Sequence, residues 1–231
     1  MADQNAQQNV TFPSNGTEAQ GYLALPPSGT GPGLVVIQEW WGLTSHIVTM
    51  ADRFAAEGFV ALAPDLFGGT TTHDAEEAQK LMTELPEARA AQDLAGAVDY
   101  LLGRPEVSGD AVGTVGFCMG GGFVLSLATQ QGRRIAAAVP FYGVVSELPD
   151  FSTLTAPVLG HYGEKDDFIP LDSVREMEAK IAEQSGTAPD IRLYPAGHAF
   201  MNDENLLGTY DRDQARIAWE RTVEFLHQHL G

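Results

Sequence analysis

A chain of 231 residues, 44% hydrophobic and 19% charged, is long enough to bury a sizeable core, which excludes a disordered polymer or a mini-scaffold held only by disulfides. With 13 basic residues against 31 acidic ones and a net charge of −18, its surface repels phosphate backbones and anionic headgroups, so neither nucleic acid nor membrane is an expected partner. The single cysteine, Cys118, has no second thiol to pair with inside the chain, so any role it plays is as a thiol. The opening MADQNAQQNV has neither the basic patch nor the apolar stretch of an export signal. The longest nearly apolar run, Ile135 to Val145, is broken by Pro140 and Gly143 and falls short of the ~20 residues that span a bilayer. These features predict a cytoplasmic protein.

No linker, charge block or internal repeat divides the sequence, so one domain is expected over residues 1–231, with residues 1–8 as a loose tail. Two short extended pieces, Asn9–Phe12 and Gly21–Leu25, flank the turn-like SNGTEAQ. Gly33–Gln38 has the continuous apolar character of a strand covered on both faces. Ser45 is placed to cap a helix with Ile47, Met50, Ala51, Phe54 and Ala55 on one side, ending at Gly58. Phe59–Ala63 follows as a strand, then helices over Asp74–Leu85 and Pro86–Leu102, the second opening with a proline. Strands at Val112–Phe117, Ala136–Tyr142, Pro157–Tyr162 and Ile191–Tyr194 alternate with helices at Met119–Gln130 and Asp172–Gln184. Asp211–His229 closes the chain as an amphipathic helix whose inner face carries Ala215, Ala218, Trp219, Thr222 and Leu226. This alternation predicts an α/β protein with a mostly parallel central sheet flanked by helices on both faces. In that architecture functional groups collect beyond the carboxyl ends of the strands.

The strongest local signal there is Gly116-Phe117-Cys118-Met119-Gly120, a G-x-C-x-G run between a strand and a helix that opens with Gly121 and Gly122. It has the form of a nucleophile elbow with cysteine in the place of serine. The nucleophile needs a sharp turn, so its neighbours must lack side chains that would clash. A residue at a helix N-terminus also feels the positive end of the dipole, which favours thiolate. The Met119 amide would face a developing oxyanion. Read without this context, Cys118 is a small buried hydrophobe and the glycines only permit close packing.

A cysteine nucleophile needs a base. Among six histidines, His46, His73, His227 and His229 read as solvated or dipole-compensating, and His161, inside PVLGHYG, as a packed residue. His198 stands in YPAGH directly after the last strand, where a glycine lets the backbone turn the ring toward the sheet edge. An acid between the two should orient the imidazole. The segment GEKDDFIP supplies candidates, and the residues alone do not separate Asp166 from Asp167. Glu39 ends an apolar strand just before Trp40-Trp41-Gly42. A carboxylate in that setting is costly unless paired or hydrated. It is read either as a competitor of His198 for the thiol proton or as a hydrogen-bonded brace for its loop.

The set QEWWG, GFCMGG, GEKDDFIP and YPAGHAF, in this order and spacing from about Gly21 to the last helix, resembles the dienelactone hydrolase family of the α/β-hydrolase fold. The resemblance implies Cys118 as nucleophile, His198 as base, Asp166 as the acid, and Glu39 as a carboxylate that holds the resting thiol until substrate displaces it. It also implies oxyanion amides at Met119 and Trp40. The implied reaction is hydrolysis of a small ester or lactone through a thioester, without metal or organic cofactor; the residues do not choose between a monomer and a small homo-oligomer.

The sequence departs from the members that act on dienelactone itself, which hold its carboxylate with arginines shortly after a PDL motif and four residues after the histidine. Here PDL is followed by Phe67-Gly68-Gly69, with no arginine before Arg89, and the position four after His198 is Asn202. A planar cation clamp is not replaced by glycine or asparagine. Trp40, Trp41, Phe67, Phe168 and Phe200 read either as an apolar, partly aromatic pocket or as ordinary core, with a lining role favoured for Trp40 and Phe200 and Asn202 as a further substrate-binding candidate, so an uncharged ester or lactone is expected as readily as an anionic one. A different class of protein, a non-catalytic or redox-responsive thiol protein on the same fold, is the competing expectation. No second cysteine is present to resolve a sulfenate within the chain.

Overall fold

The structure is a computed structural model that describes residues 7–145 and 147–231. Its elements in chain order are β1 (Val10–Ser14), β2 (Thr17–Ala24), β3 (Gly31–Ile37), α1 (Ser45–Ala56), β4 (Val60–Pro64), α2 (Ala75–Glu84), α3 (Glu87–Leu102), β5 (Val107–Phe117), α4 (Met119–Gln131), β6 (Ile135–Phe141), β7 (Leu159–Gly163), α5 (Leu171–Ser185), β8 (Asp190–Tyr194) and α6 (Arg212–Leu230). The strands follow the order β1-β2-β4-β3-β5-β6-β7-β8 in a mixed sheet of eight. β1 and β2 pair antiparallel, as do β2 and β4, whereas β3–β4, β6–β7 and β7–β8 are parallel. The α/β alternation of the sequence is therefore realised, with an antiparallel hairpin at one edge. Among the described residues no helix is long and apolar enough to cross a membrane.

Contacts divide the chain into two compact units, residues 1–113 and 114–231. In the first unit, β1 and β2 are joined by Asn15 and Gly16 alone, at φ 41° and 83°. Asn-Gly supplies both positive dihedrals that a two-residue hairpin turn requires, so pairing resumes at once with Ser14 opposite Thr17. The turn expected over SNGTEAQ is thus mostly strand. For residues 1–6 the expected loose tail lies outside the described residues, while the Gln8 side chain donates a hydrogen bond to Asp65. α1 starts at Ser45, but the cap position belongs to Thr44, whose side chain makes no capping hydrogen bond. Its expected inner face, Ile47, Met50, Ala51, Phe54 and Ala55, is buried, and so is His46, contrary to its reading as solvated. The first turn of α1 is enclosed, with Val48 buried as well as Ile47. α2 begins with Asp74 accepting from the Glu77 amide at 2.9 Å, and α3 begins after Pro86. β5 extends five residues further toward its start than its apolar run suggests, because Val107–Ala111 is largely exposed polar strand. β3 lies so close to it that a Cβ on Gly33 would come within 2.8 Å of Val112.

In the second unit, β6 and β7 are buried along nearly their whole length. α4 is buried on Gly120–Gly122, Val124, Leu125, Leu127, Ala128 and Thr129. α6 turns Ala215, Ala218, Thr222 and Leu226 inward as expected, with Trp219 half-buried at the margin of that stripe. Asp211 caps its start by accepting from the Asp213 and Gln214 amides. This unit carries the carboxyl ends of β5, β6, β7 and β8, and the side chains considered next stand on the loops that leave them.

Candidate active site

β5 ends at Phe117 and α4 begins at Met119, so Cys118 alone makes the turn. Its backbone sits at φ 53° and ψ −118°, a conformation that costs a non-glycine residue about 1–3 kcal/mol. Two hydrogen bonds hold it there: the Cys118 amide donates to Phe141 O at 3.1 Å, and Cys118 O accepts from the Gly121 amide at 2.9 Å. The glycines of the elbow are required by backbone crossing. A Cβ on Gly116 would lie 2.3 Å from Gly120 O, and one on Gly143, just beyond β6, would lie 2.1 Å from Cys118 O. The thiol is half-buried and stands at the head of α4, whose first amides have no carbonyl to meet within the helix. Those amides and the helix dipole favour negative charge at this point.

His198 stands on the loop after β8, with Nε2 3.2 Å from Cys118 Sγ and Nδ1 2.8 Å from Asp166 Oδ2. Asp166 stands on the loop after β7, and its other oxygen, Oδ1, accepts from the Phe168 and Ile169 amides, each at 2.8 Å. Asp167 is exposed, so the geometry separates two carboxylates that the residues alone leave open. The acid and histidine loops are tied together. The Glu164 amide donates to Tyr194 O at 2.7 Å and the Lys165 amide to Ala196 O at 3.0 Å. Gly197 was expected to supply a special backbone angle, but the positive φ belongs to Ala199, at 56°. Gly197 is instead a matter of space, since a Cβ there would press to 3.0 Å on Thr209. Thr209 donates its hydroxyl to His198 O, an anchor that the sequence reading missed.

Burial by itself pulls the His198 pKa down, yet hydrogen bonds and charge from Asp166 and Cys118 outweigh it and raise the pKa to about 10. The ring therefore keeps a proton far above the range of a free imidazole. Tyr142, which follows β6, packs edge-on to it at 5.2 Å, and Phe168 lies 4.9 Å from it. A residue at the carboxyl end of β6 is where the strand-end rule directs attention, so Tyr142 was within reach of the sequence.

A second buried histidine serves packing. His161, on β7, stacks on Phe141 at 4.3 Å. Thr222 Oγ1 donates to Ala218 O at 2.9 Å, so it receives a hydrogen bond from His161 Nε2 at 3.0 Å. That assignment leaves Nδ1 to accept from the Tyr194 hydroxyl at 2.8 Å, and the Tyr194 oxygen accepts from Arg221 at 3.0 Å. The hydrogen bonds thus run in one direction, Arg221 to Tyr194 to His161 to Thr222, and tie α6 to the last two strands. Burial, with the charges of Arg221 and Arg192, lowers the His161 pKa to about 3.

The other residues singled out in the sequence are placed as follows. Glu39 is buried on the loop after β3, and its carbonyl accepts from the Gly42 amide at 3.2 Å. Trp41 is buried and meets the half-buried Trp40 edge-on at 4.9 Å. Phe67 is half-buried and lines a cleft of about 180 Å³ with Gly68 and Arg89, the first arginine after PDL. Arg89 lies 3.4 Å from Asp93. Met119 is half-buried at the start of α4. Phe168 is 56% exposed, whereas Phe200 is fully enclosed between Tyr142 and Tyr194, at 5.5 and 5.0 Å. Asn202 is buried, its side-chain oxygen accepting from the Glu204 amide at 2.9 Å. Among the described residues no three His, Cys, Asp or Glu side chains are grouped as metal ligands.

His161 and His198 make stability depend on pH in opposite senses. His161 is neutral in the folded protein, with its pKa lowered from 6.5 to about 3. The unfolded chain therefore binds the extra proton between those values, and stability is lost as pH falls through that window, by at most ~1.4 kcal/mol per pH unit. His198 is raised from 6.5 to about 10. Its contribution is complete below pH 6.5 and is lost as pH rises toward 10. Urea unfolding across pH 4–10 is expected to show both declines. Thr222→Val, which strands the buried His161 Nε2–H, is expected to cost about 1–3 kcal/mol in the same measurement.

Comparison with known proteins identifies the family. The model of the dienelactone hydrolase family matches residues 19–230. A protein of Aquifex pyrophilus named "Protein usf" is 37% identical over 232 residues, covering 96% of this chain and 99% of its own. A protein of Aquifex aeolicus, provisionally named a carboxymethylenebutenolidase, is 33% identical over 235 residues, covering 96% of this chain and 99% of its own. A crystal structure from Klebsiella pneumoniae, provisionally named a dienelactone hydrolase, superposes with a TM-score of 0.85 at 31% identity, over 95% of this chain and 97% of that one. A match over nearly the whole length, with an elbow, a histidine and a carboxylate at hydrogen-bonding distances, places this chain in the dienelactone hydrolase family of α/β-fold hydrolases.

Proposed function

We propose that the protein hydrolyses small carboxylic esters or lactones through a covalent thioester on Cys118. The observation that carries this reading is the unbroken chain from Sγ through the imidazole to a carboxylate, 3.2 Å and 2.8 Å long. Asp166 accepts the Nδ1 proton and fixes the ring, and once substrate displaces Glu39 from the thiol the sulfur passes its proton to Nε2, a transfer that the raised His198 pKa of about 10 favours. The sulfur then attacks the ester carbonyl carbon, forming the C–S bond. Negative charge develops on the carbonyl oxygen, which the Met119 amide at the helix N-terminus stabilises. As the C–O bond breaks, Nε2–H gives its proton to the leaving oxygen, and the neutral ring next takes a proton from water as that water attacks the thioester. The C–S bond breaks, the acid departs and the proton is back on the ring beside the sulfur. One difficult step is thereby divided into two easier ones.

The lactone-opening names of the relatives support the substrate class, and the missing arginines after PDL and at Asn202 favour an uncharged member of it. We assign Glu39 to the resting thiol and Trp40 to the second oxyanion amide on the family resemblance, with Trp41, Phe67, Phe168 and Asn202 shaping the pocket, while Phe200, expected to line it, is enclosed between Tyr142 and Tyr194 and packs in the core instead. The protein works without a cofactor, in the cytoplasm, as a monomer or small homo-oligomer.

Steady-state hydrolysis of a short neutral aryl ester tests the mechanism. Cys118→Ala is expected to lose at least about 10³-fold in kcat/KM with an unchanged melting temperature, and Asp166→Asn about 10³–10⁴-fold. Undiminished turnover by Cys118→Ala would overturn the mechanism. The kcat/KM of the wild type is expected to fall as pH rises through about 10, where His198 loses the proton it must deliver. A carboxylate-bearing dienelactone is expected to be a poorer substrate than the neutral ester. Glu39→Gln is expected to speed alkylation of Cys118 by iodoacetamide in the absence of substrate, and an unchanged rate would remove Glu39 from the resting state.

A further inference from the structure

A cleft of about 300 Å³ opens beside the acid loop in the second unit, between α5 and the residues after β6. Val144, Val145, Leu148, Phe168, Ile169 and Pro170 give it apolar side chains, within a lining that exposes more polar than apolar surface. Three features connect it to the chemistry. Phe168 belongs both to the cleft and to the surround of His198, whose ring it meets at 4.9 Å. Phe168 and Ile169 are the residues whose amides hold Asp166 Oδ1. Val145 leans on the glycine turn of the elbow, where a Cβ on Gly122 would lie 3.0 Å from its Cγ1.

The direction of the reaction says which part of a substrate comes this way. The carbonyl carbon must meet Cys118, and the carbonyl oxygen the α4 amides. The one substrate atom that must approach His198 Nε2 is the leaving oxygen, because it takes the proton. The group attached to that oxygen therefore extends along the flank of the imidazole, and Phe168 forms that flank.

The polar end of the cleft sets the charge it tolerates. Lys180 and Glu176 line it together, one turn apart on α5. The Lys180 ammonium already donates to Leu148 O at 2.8 Å, and its charge also acts on Asp150. One cation thus faces two carboxylates. A carboxylate-bearing chain entering here would add a third anion near an already engaged ammonium, whereas an uncharged chain adds no charge and can lie on the apolar side chains of the lining. Ser173, the remaining polar residue of the lining, gives its hydroxyl to Pro170 O at 2.7 Å and makes no demand on a ligand.

We propose that this cleft is the leaving-alcohol subsite, and that it selects esters of uncharged, medium-length alkyl or aryl alcohols. The assignment rests on the hydrolase reading above. A volume near 300 Å³ is at the small end of ligand pockets, suited to a group of about six to eight carbons. Each methylene moved from water onto these apolar side chains contributes up to about fourfold in kcat/KM.

The test compares acetate esters that share one acyl group, so that they share one thioester and one deacylation step. The probes are methyl acetate, hexyl acetate and 6-acetoxyhexanoate, assayed with wild type, Val145→Trp and Glu176→Lys, with a separate aliquot of each titrated with iodoacetamide to count reactive Cys118. In the wild type, kcat/KM for hexyl acetate is expected to exceed that for methyl acetate at least tenfold, while 6-acetoxyhexanoate falls back toward the methyl ester. Val145→Trp, which fills the cleft, is expected to collapse the hexyl-to-methyl ratio toward one. Glu176→Lys is expected to raise the ratio of 6-acetoxyhexanoate to hexyl acetate several-fold, a change that damage to the fold would not produce. If the wild type hydrolyses the esters with a flat dependence on the alcohol, or if Val145→Trp keeps the wild-type ratio, the subsite is wrong and the hydrolase reading stands. If the wild type hydrolyses none of them while Cys118 titrates fully, the hydrolase reading fails and the subsite with it.

Discussion

The site depends on one backbone crossing. The head of α4 comes so close to the residues around the end of β6 that Gly121 and Gly143 have no room for a Cβ, each being within 2.5 Å of a carbonyl oxygen if one were built. This contact holds Cys118 in its unfavourable φ of 53°, and the favourable packing of the unit offsets the local strain. With the turn held, the sulfur projects from the end of β5 and cannot swing back into the core. The helix amides converge on the same spot from the other side. A larger residue at any of these glycines would separate helix and strand and release Cys118 from its angle.

The rest of the second unit acts on the two groups that must find that sulfur. β7 and β8 run parallel in register from Leu159 opposite Asp190 to Gly163 opposite Tyr194, and the loops that follow them remain hydrogen-bonded to each other. Asp166 and His198 are therefore borne by one tied pair of loops. Behind them, His161 is kept neutral by burial and completes a directed set of hydrogen bonds from Arg221 to Thr222. Two imidazoles in one small unit thus have opposite fates. One is surrounded by apolar strands and two arginines and gives up its charge. The other has a carboxylate on one nitrogen and a sulfur on the other, and keeps it.

The electrostatics of the whole chain and of the site point the same way. A net charge of −18 gives no long-range attraction for an anion. Arg89 is directed at Asp93, and Lys180 is engaged by the Leu148 carbonyl with carboxylates around it. Uncharged substrates are consistent with each of these facts, and the exposed Phe168 beside the imidazole offers them apolar surface.

The sequence alone determined the α/β alternation, the glycine-flanked turn at Cys118, the place of His198 just beyond the last strand and the inner face of the last helix, because these depend on local rules. Runs of apolar residues make strands, glycines permit a tight turn, and a residue after a strand lies at the sheet end. Only the tertiary structure decided what depends on partners distant in the chain. It separated Asp166 from Asp167, because the choice rests on which carboxylate meets a ring 32 residues away. It enclosed His46 and Phe200, whose surroundings come from other elements. It assigned the space at Gly197 to Thr209 and the positive angle to Ala199, and it made His161 one link in a chain of hydrogen bonds whose other members lie on β8 and α6. Local propensity carries no information about such pairs, since each is set by the register of strands and the packing of a helix against them.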